Sequence, residues 1–204
     1  LWLTGNIRSG NWARPEEKAT FFDMKAIVAN IFARLGINDK EIELKPVKSP
    51  FYSNAVEIAT RSGKQLGTLG IVAKAMLKRC DVKQEVIYAD LDWTALVKLA
   101  VKKNVTYAPL PKTHPVKRDL ALLLDEAVTM AQVEKIVRDS EKKLLRGVEL
   151  FDVYQGKNLE PGKKSYAISI TLQDDEKTLQ DKQIEAVMGK ITANLQKQLG
   201  ASLR

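Results

Sequence analysis

The sequence predicts an α+β protein in two parts, and three observations carry that prediction. In Lys164 to Leu172 the apolar Tyr166, Ile168, Ile170 and Leu172 alternate with Ser165, Ala167, Ser169 and Thr171, the period-two pattern of a strand with one packed and one open face. From Arg118 onward the elements read β-α-β-β-α-β, the ferredoxin-like order in which both helices cover one face of an antiparallel sheet. Pro109, Pro111 and Pro115 disfavour helix across Asn104 to Pro115 and place a boundary there, giving units 1–108 and 109–204.

In the first unit Leu1 to Ile7 is strand-like, and Gly10-Asn11-Trp12 opens a polar loop. Met24, Ile27, Val28, Ile31 and Leu35 recur at three- and four-residue spacings, a helix whose end falls at Gly36, a residue free to take positive φ. Glu41 to Val47, Ala55 to Arg61 and Lys64 to Ile71 read as short strands, the last two joined by a Ser62-Gly63 turn. A short helix at Ala73 to Arg79, a strand at Glu85 to Leu91 and a helix at Trp93 to Lys102 complete a mixed unit. The apolar run Leu1-Trp2-Leu3 suggests that the chain starts inside a strand of a larger protein.

In the second unit Arg118 to Leu124 is apolar on both faces, as a central strand would be. Thr129 and Gln132 have capping-box spacing and start a helix with Val133, Ile136, Val137 and Leu144 as its buried stripe, ending before Gly147. Val148 to Tyr154 and Lys164 to Leu172 flank a Gly156…Pro161-Gly162 turn and form a hairpin. Thr178 and Asp181 repeat the start signal ahead of Ile184, Val187, Met188, Ile191 and Leu195, and Gly200 stops that helix before a last short strand at Ala201 to Arg204.

Composition narrows the class. With 204 residues and 45% apolar content the chain can build real cores. No run approaches the 18 apolar residues of a membrane span, and no leader pattern is present, so a cytoplasmic location without membrane contact is the expectation. Cys80 has no disulfide partner, and one Cys with one His does not make an ordinary zinc site. The net charge of +8 suits an acidic partner such as RNA. Most of the excess lies in residues 1–109, with 17 Lys and Arg against 11 Asp and Glu.

Period two puts Phe151 and Val153 on the packed face of the first hairpin strand and leaves Asp152 and Tyr154 on the open one, beside Ser165. A Tyr ring stacks an unstacked base, a carboxylate accepts from a guanine Watson–Crick edge, and a serine donates or accepts. The alternative is structural: Tyr154 packs over the hairpin, Asp152 satisfies an amide and Ser165 starts a strand. Arg118, Lys157, Lys163 and Lys164, with Lys142-Lys143, are candidates for RNA backbone contact, although Arg118 and Asp119 could equally form an ion pair fixing the first strand. His114 sits with no nucleophile or carboxylate pair and reads as a linker residue. Cys80 reads as partly buried, and Trp2, Trp12 and Trp93 read as core or subunit-interface anchors.

Arg118-Asp119-Leu120, Phe151-Asp152-Val153-Tyr154-x-Gly156, Gly162-x-Lys164-Ser165, Thr178-Leu179-x-Asp181 and Gly200-Ala201-x-Leu203-Arg204 together resemble the ferredoxin-fold anticodon-binding domain that closes the β subunit of bacterial phenylalanyl-tRNA synthetases. Gly10-Asn11-Trp12, Phe22-Asp23-x-Lys25 and Gly63-Lys64-x-x-Gly67-x-x-Gly70 resemble that subunit's catalytic-like module, a partial class II synthetase-like antiparallel unit. Phe51-Tyr52-Ser53-Asn54 departs from the His-Pro-Gly-Arg-like turn common in that family.

The resemblance implies that Asp152, Tyr154 and Ser165 bind the anticodon of tRNA(Phe), and that the chain holds no catalytic residue and no cofactor or metal of its own. It implies a catalytic α subunit as partner in an α2β2 enzyme that uses ATP and Mg2+ outside these residues. Gly67 to Gly70 runs into Ile71-Val72-Ala73, without the Arg that a class II ATP site requires. A ferredoxin-like regulatory or scaffold domain without nucleic-acid specificity is the alternative. The aromatic-rich strands of an RNA-recognition module are missing, and the acidic Leu124-Asp125-Glu126 turn would repel the phosphate that an acylphosphatase-like loop must cradle.

Overall fold

Two compact units divide the chain, Leu1–Tyr107 and Ala108–Arg204. The computed structural model describes residues 1–101, 107, 109–156 and 158–203, so the expected contact at Lys157 lies outside the described residues, as do Lys102, Asn104 and Arg204.

In the first unit, β1 (Trp2–Thr4), β4 (Ile42–Pro46), β5 (Tyr52–Thr60), β6 (Gln65–Val72) and β7 (Val86–Leu91) form one antiparallel sheet in the order β1-β7-β6-β5-β4. The strand expected over Leu1 to Ile7 is interrupted at Gly5, whose φ of 76° turns the chain into β2 (Asn6–Arg8), which pairs with β3 (Glu17–Lys18). Helix α1 (Phe21–Arg34) starts at a capping box in which Thr20 and Asp23 each bond the other's backbone amide, and stops ahead of Gly36 at φ 72°. Met24, Val28 and Phe32 of α1, with Ala95 and Leu96 of α3 (Trp93–Ala100), cover Ile58, Leu66, Leu69, Ile87 and Ala89. Ile27, expected in the buried stripe, is 37% exposed, and Phe32 takes its place. The short α2 (Lys74–Arg79) leads into β7.

The second unit runs β8 (Val116–Asp125), α4 (Met130–Ser140), β9 (Leu145–Tyr154), β10 (Lys163–Leu172), α5 (Asp181–Leu199) and β11 (Ser202–Leu203). Its sheet order, β11-β8-β10-β9, is the ferredoxin-like 4-1-3-2 arrangement, and every pair is antiparallel. Val133, Ile136 and Val137 of α4 and Ile184, Ile191 and Leu195 of α5 meet Leu122, Leu124, Ile168, Ile170 and Leu172 in one core. At roughly 1.5–3 kcal/mol for each fully buried aliphatic side chain, this core is what holds the hairpin flat against the helices. Thr129 and Gln132 form the expected capping box.

Several sequence expectations are corrected. Helix α4 ends at Ser140, where Glu141 turns extended and accepts from the Lys143 and Leu144 amides, so Leu144 belongs to the loop rather than to the helix stripe. Helix α5 is capped by Gln180 with Gln183, not by Thr178 with Asp181. The register of β9 slips between Ala167 and Ile168, so Phe151 is the extra residue of a bulge, 55% exposed, and Leu150 packs on the core in its place. Val153, at the sheet edge, is 48% exposed. Cys80 is exposed, and Trp2, Trp12 and Trp93 are 65%, 100% and 57% exposed, which removes the core reading for all three. No helix among the described residues is long and apolar enough to cross a membrane.

Candidate functional site

Directly opposed residues in an antiparallel sheet share a face, so the register of β10 with β8 and β9 lays out the open side of the second unit row by row. Ser165 lies between Leu123 and Tyr154, with Ser202 beyond Leu123. The next row is Ala121, Ala167 and Asp152, then Asp119, Ser169 and Glu149, then Lys117, Thr171 and Gly147. The central strand thus offers only Ser, Ala, Ser and Thr, a shallow furrow whose floor at Ser165 and Ser169 is 7% exposed because the flanking strands are taller.

The furrow has one aromatic wall. Tyr154 is half-buried, and its ring lies across Gly156: a β-carbon there would come within 2.6 Å of the Tyr154 hydroxyl and 2.7 Å of Cζ. Gly156 therefore lets the ring settle over the hairpin turn. Tyr154 and Ser165 are direct cross-strand partners, and Asp152 is exposed on the same face two residues earlier, roughly 7 Å along the strand. The fold brings the three expected anticodon residues onto one surface.

The cationic candidates are distributed differently. Lys163 stands at the end of the same face but donates to Asp125 at 2.6 Å, a bond that raises the lysine pKa above its ordinary value. Lys164 points to the helix side, 7% exposed, with its ammonium 4.7 Å from the Tyr166 ring centroid. Arg118 also turns to the helix side, 3.7 Å from Asp181 at the start of α5. Apart from the Lys163–Asp125 pair, the open face carries Asp119, Glu149 and Asp152 against Lys117, which sits 3.9 Å from Glu149. Such a surface suits the edges and faces of bases better than phosphates. Among the described residues no group of three or more His, Cys, Asp or Glu side chains could hold a metal ion.

Sequence reasoning named Gly156 as a turn and motif residue without seeing the room it gives the Tyr154 ring, and it did not place Ala121 and Leu123 beside Ala167 and Ser165. The Tyr-x-Gly spacing was a usable signal for the first. Nothing local in Asp119, Ala121 and Leu123 announces which strand they will pair with.

The second unit is a ferredoxin-like sheet with helices on one side and an open face on the other, and residues 111–204 match the family model described as ferredoxin-fold anticodon binding domain. Residues 1–93 match the model described as phenylalanyl tRNA synthetase beta chain CLM domain. The whole chain is 49% identical to the phenylalanine-tRNA ligase beta subunits of Porphyromonas gingivalis and of Bacteroides fragilis, and 99% of it aligns at 30% identity with that of Listeria monocytogenes. It spans 25% of the length of each. The chain belongs to the phenylalanyl-tRNA synthetase beta-chain family. These matches do not favour a regulatory or scaffold domain.

Proposed function

We propose that the open face of β10 and β9 reads the anticodon of tRNA(Phe). The pairing of Tyr154 with Ser165, with Asp152 one row away, carries the proposal. In this reading Tyr154 stacks one unpaired base, a contact worth about 1–3 kcal/mol. Asp152 accepts from the adjacent N–H donors that guanine alone presents on its Watson–Crick edge, and the Ser165 hydroxyl takes the remaining acceptor. Lys163 reaches backbone phosphate at the rim by exchanging its bond to Asp125, and Lys157 is a further candidate for such a contact, whereas Arg118 and Lys164, on the helix side, lie away from an RNA held on this face.

The same reading makes the chain part of an aminoacyl-tRNA synthetase, a cytoplasmic ligase of protein biosynthesis. The first unit serves as a non-catalytic, class II-like support for a catalytic α subunit in an α2β2 enzyme. ATP and Mg2+ supply the activation chemistry there, outside these residues, and this chain's task is to bind and orient the tRNA.

A titration with the tRNA(Phe) anticodon stem-loop, beside one whose first anticodon guanine is replaced by adenine, tests the proposal. We expect preference for guanine, lost in Asp152→Ala, and weaker binding of both loops to Tyr154→Ala. Equal affinity of the unsubstituted chain for the two loops would refute base reading.

A further inference from the structure

The sheet of the first unit also has an open face, and it is built quite differently. Trp2, Tyr88, Gly70 and Ala55 form one cross-strand row on it, and Asp90, Thr68 and Glu57 the next. Trp2 stacks on Tyr88 with ring centroids 3.9 Å apart and 26° between planes. Phe51 stands edge-on to Tyr52 and to Tyr88, at 4.8 and 5.8 Å. Tyr52 crosses over Gly70, where a β-carbon would come within 2.6 Å of its ring, and its hydroxyl meets Thr68 Oγ1 at 3.1 Å. These groups line an open cavity of about 620 Å³.

Charge in the cavity has one sign. Asp90 is its only ionised lining residue among those described; it is exposed, and no Lys or Arg pairs with it among the described residues. Desolvation, opposed by the bond to Thr68 and aided by Tyr88 and Asp90, pushes the Tyr52 phenol up, so its hydroxyl keeps its proton at neutral pH. The ring faces are partially negative as well, and they attract a cation most strongly where water is excluded. The volume falls in the range of small-molecule sites, which are mostly apolar with a few placed polar groups.

We infer that this face binds a small organic ammonium: a cationic head between Asp90 and the Tyr rings, and an apolar or aromatic body against Trp2 and Phe51. An anion is disfavoured, because Asp90 repels it and no Lys or Arg among the described residues lines the cavity. A neutral aromatic keeps the ring contacts and loses the charge term. This inference does not depend on the anticodon reading, since every group it uses lies in the first unit.

The test is a titration of the 204-residue chain with phenethylammonium, followed by Trp fluorescence and by amide shifts of Tyr88 and Asp90. The expected result is saturable binding, about tenfold weaker for the neutral 2-phenylethanol and undetectable for phenylacetate, a tenfold change corresponding to about 1.4 kcal/mol. Asp90→Asn, at an exposed position, should keep the melting profile and abolish the preference for the cation, and Trp2→Ala should weaken both ligands. Equal affinity for the cation and the alcohol, an unchanged cation preference in Asp90→Asn, or no saturation by phenethylammonium would each overturn the inference.

Discussion

The two units solve one architectural problem in opposite ways. Each packs helices on one side of an antiparallel sheet and leaves the other side open. The first fills its open face with large rings, Trp2, Phe51, Tyr52 and Tyr88, which satisfy one another and leave a cavity at their edge. The second keeps Ser165, Ala167, Ser169 and Thr171 along its central strand, so the face stays a furrow with one ring, Tyr154, at its side. Side-chain size on the unpacked face separates an open furrow floored by small residues from a face filled with rings.

The largest effect should come from the packed side. Replacing the fully buried Ile168 by Ala is expected to cost about 2–5 kcal/mol in the second unit, and Ile87→Ala a similar amount in the first. Chemical denaturation followed by Trp fluorescence and by shifts of the β10 amides would register each loss in its own unit. A loss shared equally by both units would break the comparison.

Filling the furrow comes next. Ala167→Phe gives the second face a ring like those of the first, and it should cut anticodon-arm affinity by at least about tenfold while circular dichroism stays unchanged. Gly156→Ala is gentler: the new methyl meets the far end of a flexible side chain, so Tyr154 shifts and affinity falls by roughly threefold, under 1 kcal/mol. Equal binding by the parent chain and Ala167→Phe would show that the furrow is not used.

The helix caps offer a matched pair. Thr20→Ala and Thr129→Ala each remove the side-chain half of a capping box and should lower stability by about 1 kcal/mol, readable as a shift in thermal midpoint.

The smallest expected effect is acid-linked. Asp23 has a depressed pKa, chiefly from the Thr20 hydroxyl, and Asp174 from the Glu176 and Lys177 amides. A depressed carboxylate stabilises the fold above its unfolded pKa, near 3.8 for both, and that contribution disappears as pH falls through the lower folded value. Carboxyl NMR titration should place both midpoints below 3.8, one in each unit.

What was legible in the sequence followed from local chemistry. The alternation of β10, the Thr129 cap and the Gly200 stop each depend on neighbours a few residues away, and the structure has all three. The grouping of Asp152, Tyr154 and Ser165 was legible because all three lie on the turn side of the bulge, where the alternation runs unbroken. What failed depended on distant partners. Uninterrupted alternation put Phe151 inside, and only pairing with β10 reveals the bulge that turns it out. Lys164 looked like a surface charge, yet it begins the packed face and lies over Tyr166. The aromatic cavity joins Trp2, Phe51 and Tyr88, residues from three separated stretches whose meeting is set by the order β1-β7-β6-β5.

The most direct test is to map the anticodon stem-loop of tRNA(Phe) onto the chain by amide chemical-shift perturbation. The account predicts a contiguous response on Asp152, Tyr154, Ser165, Ala167 and Ala121, with Val133, Ile136, Ile184 and Ile191 of the helices undisturbed. A response centred on α4 and α5, or on the aromatic face of the first unit, would contradict it.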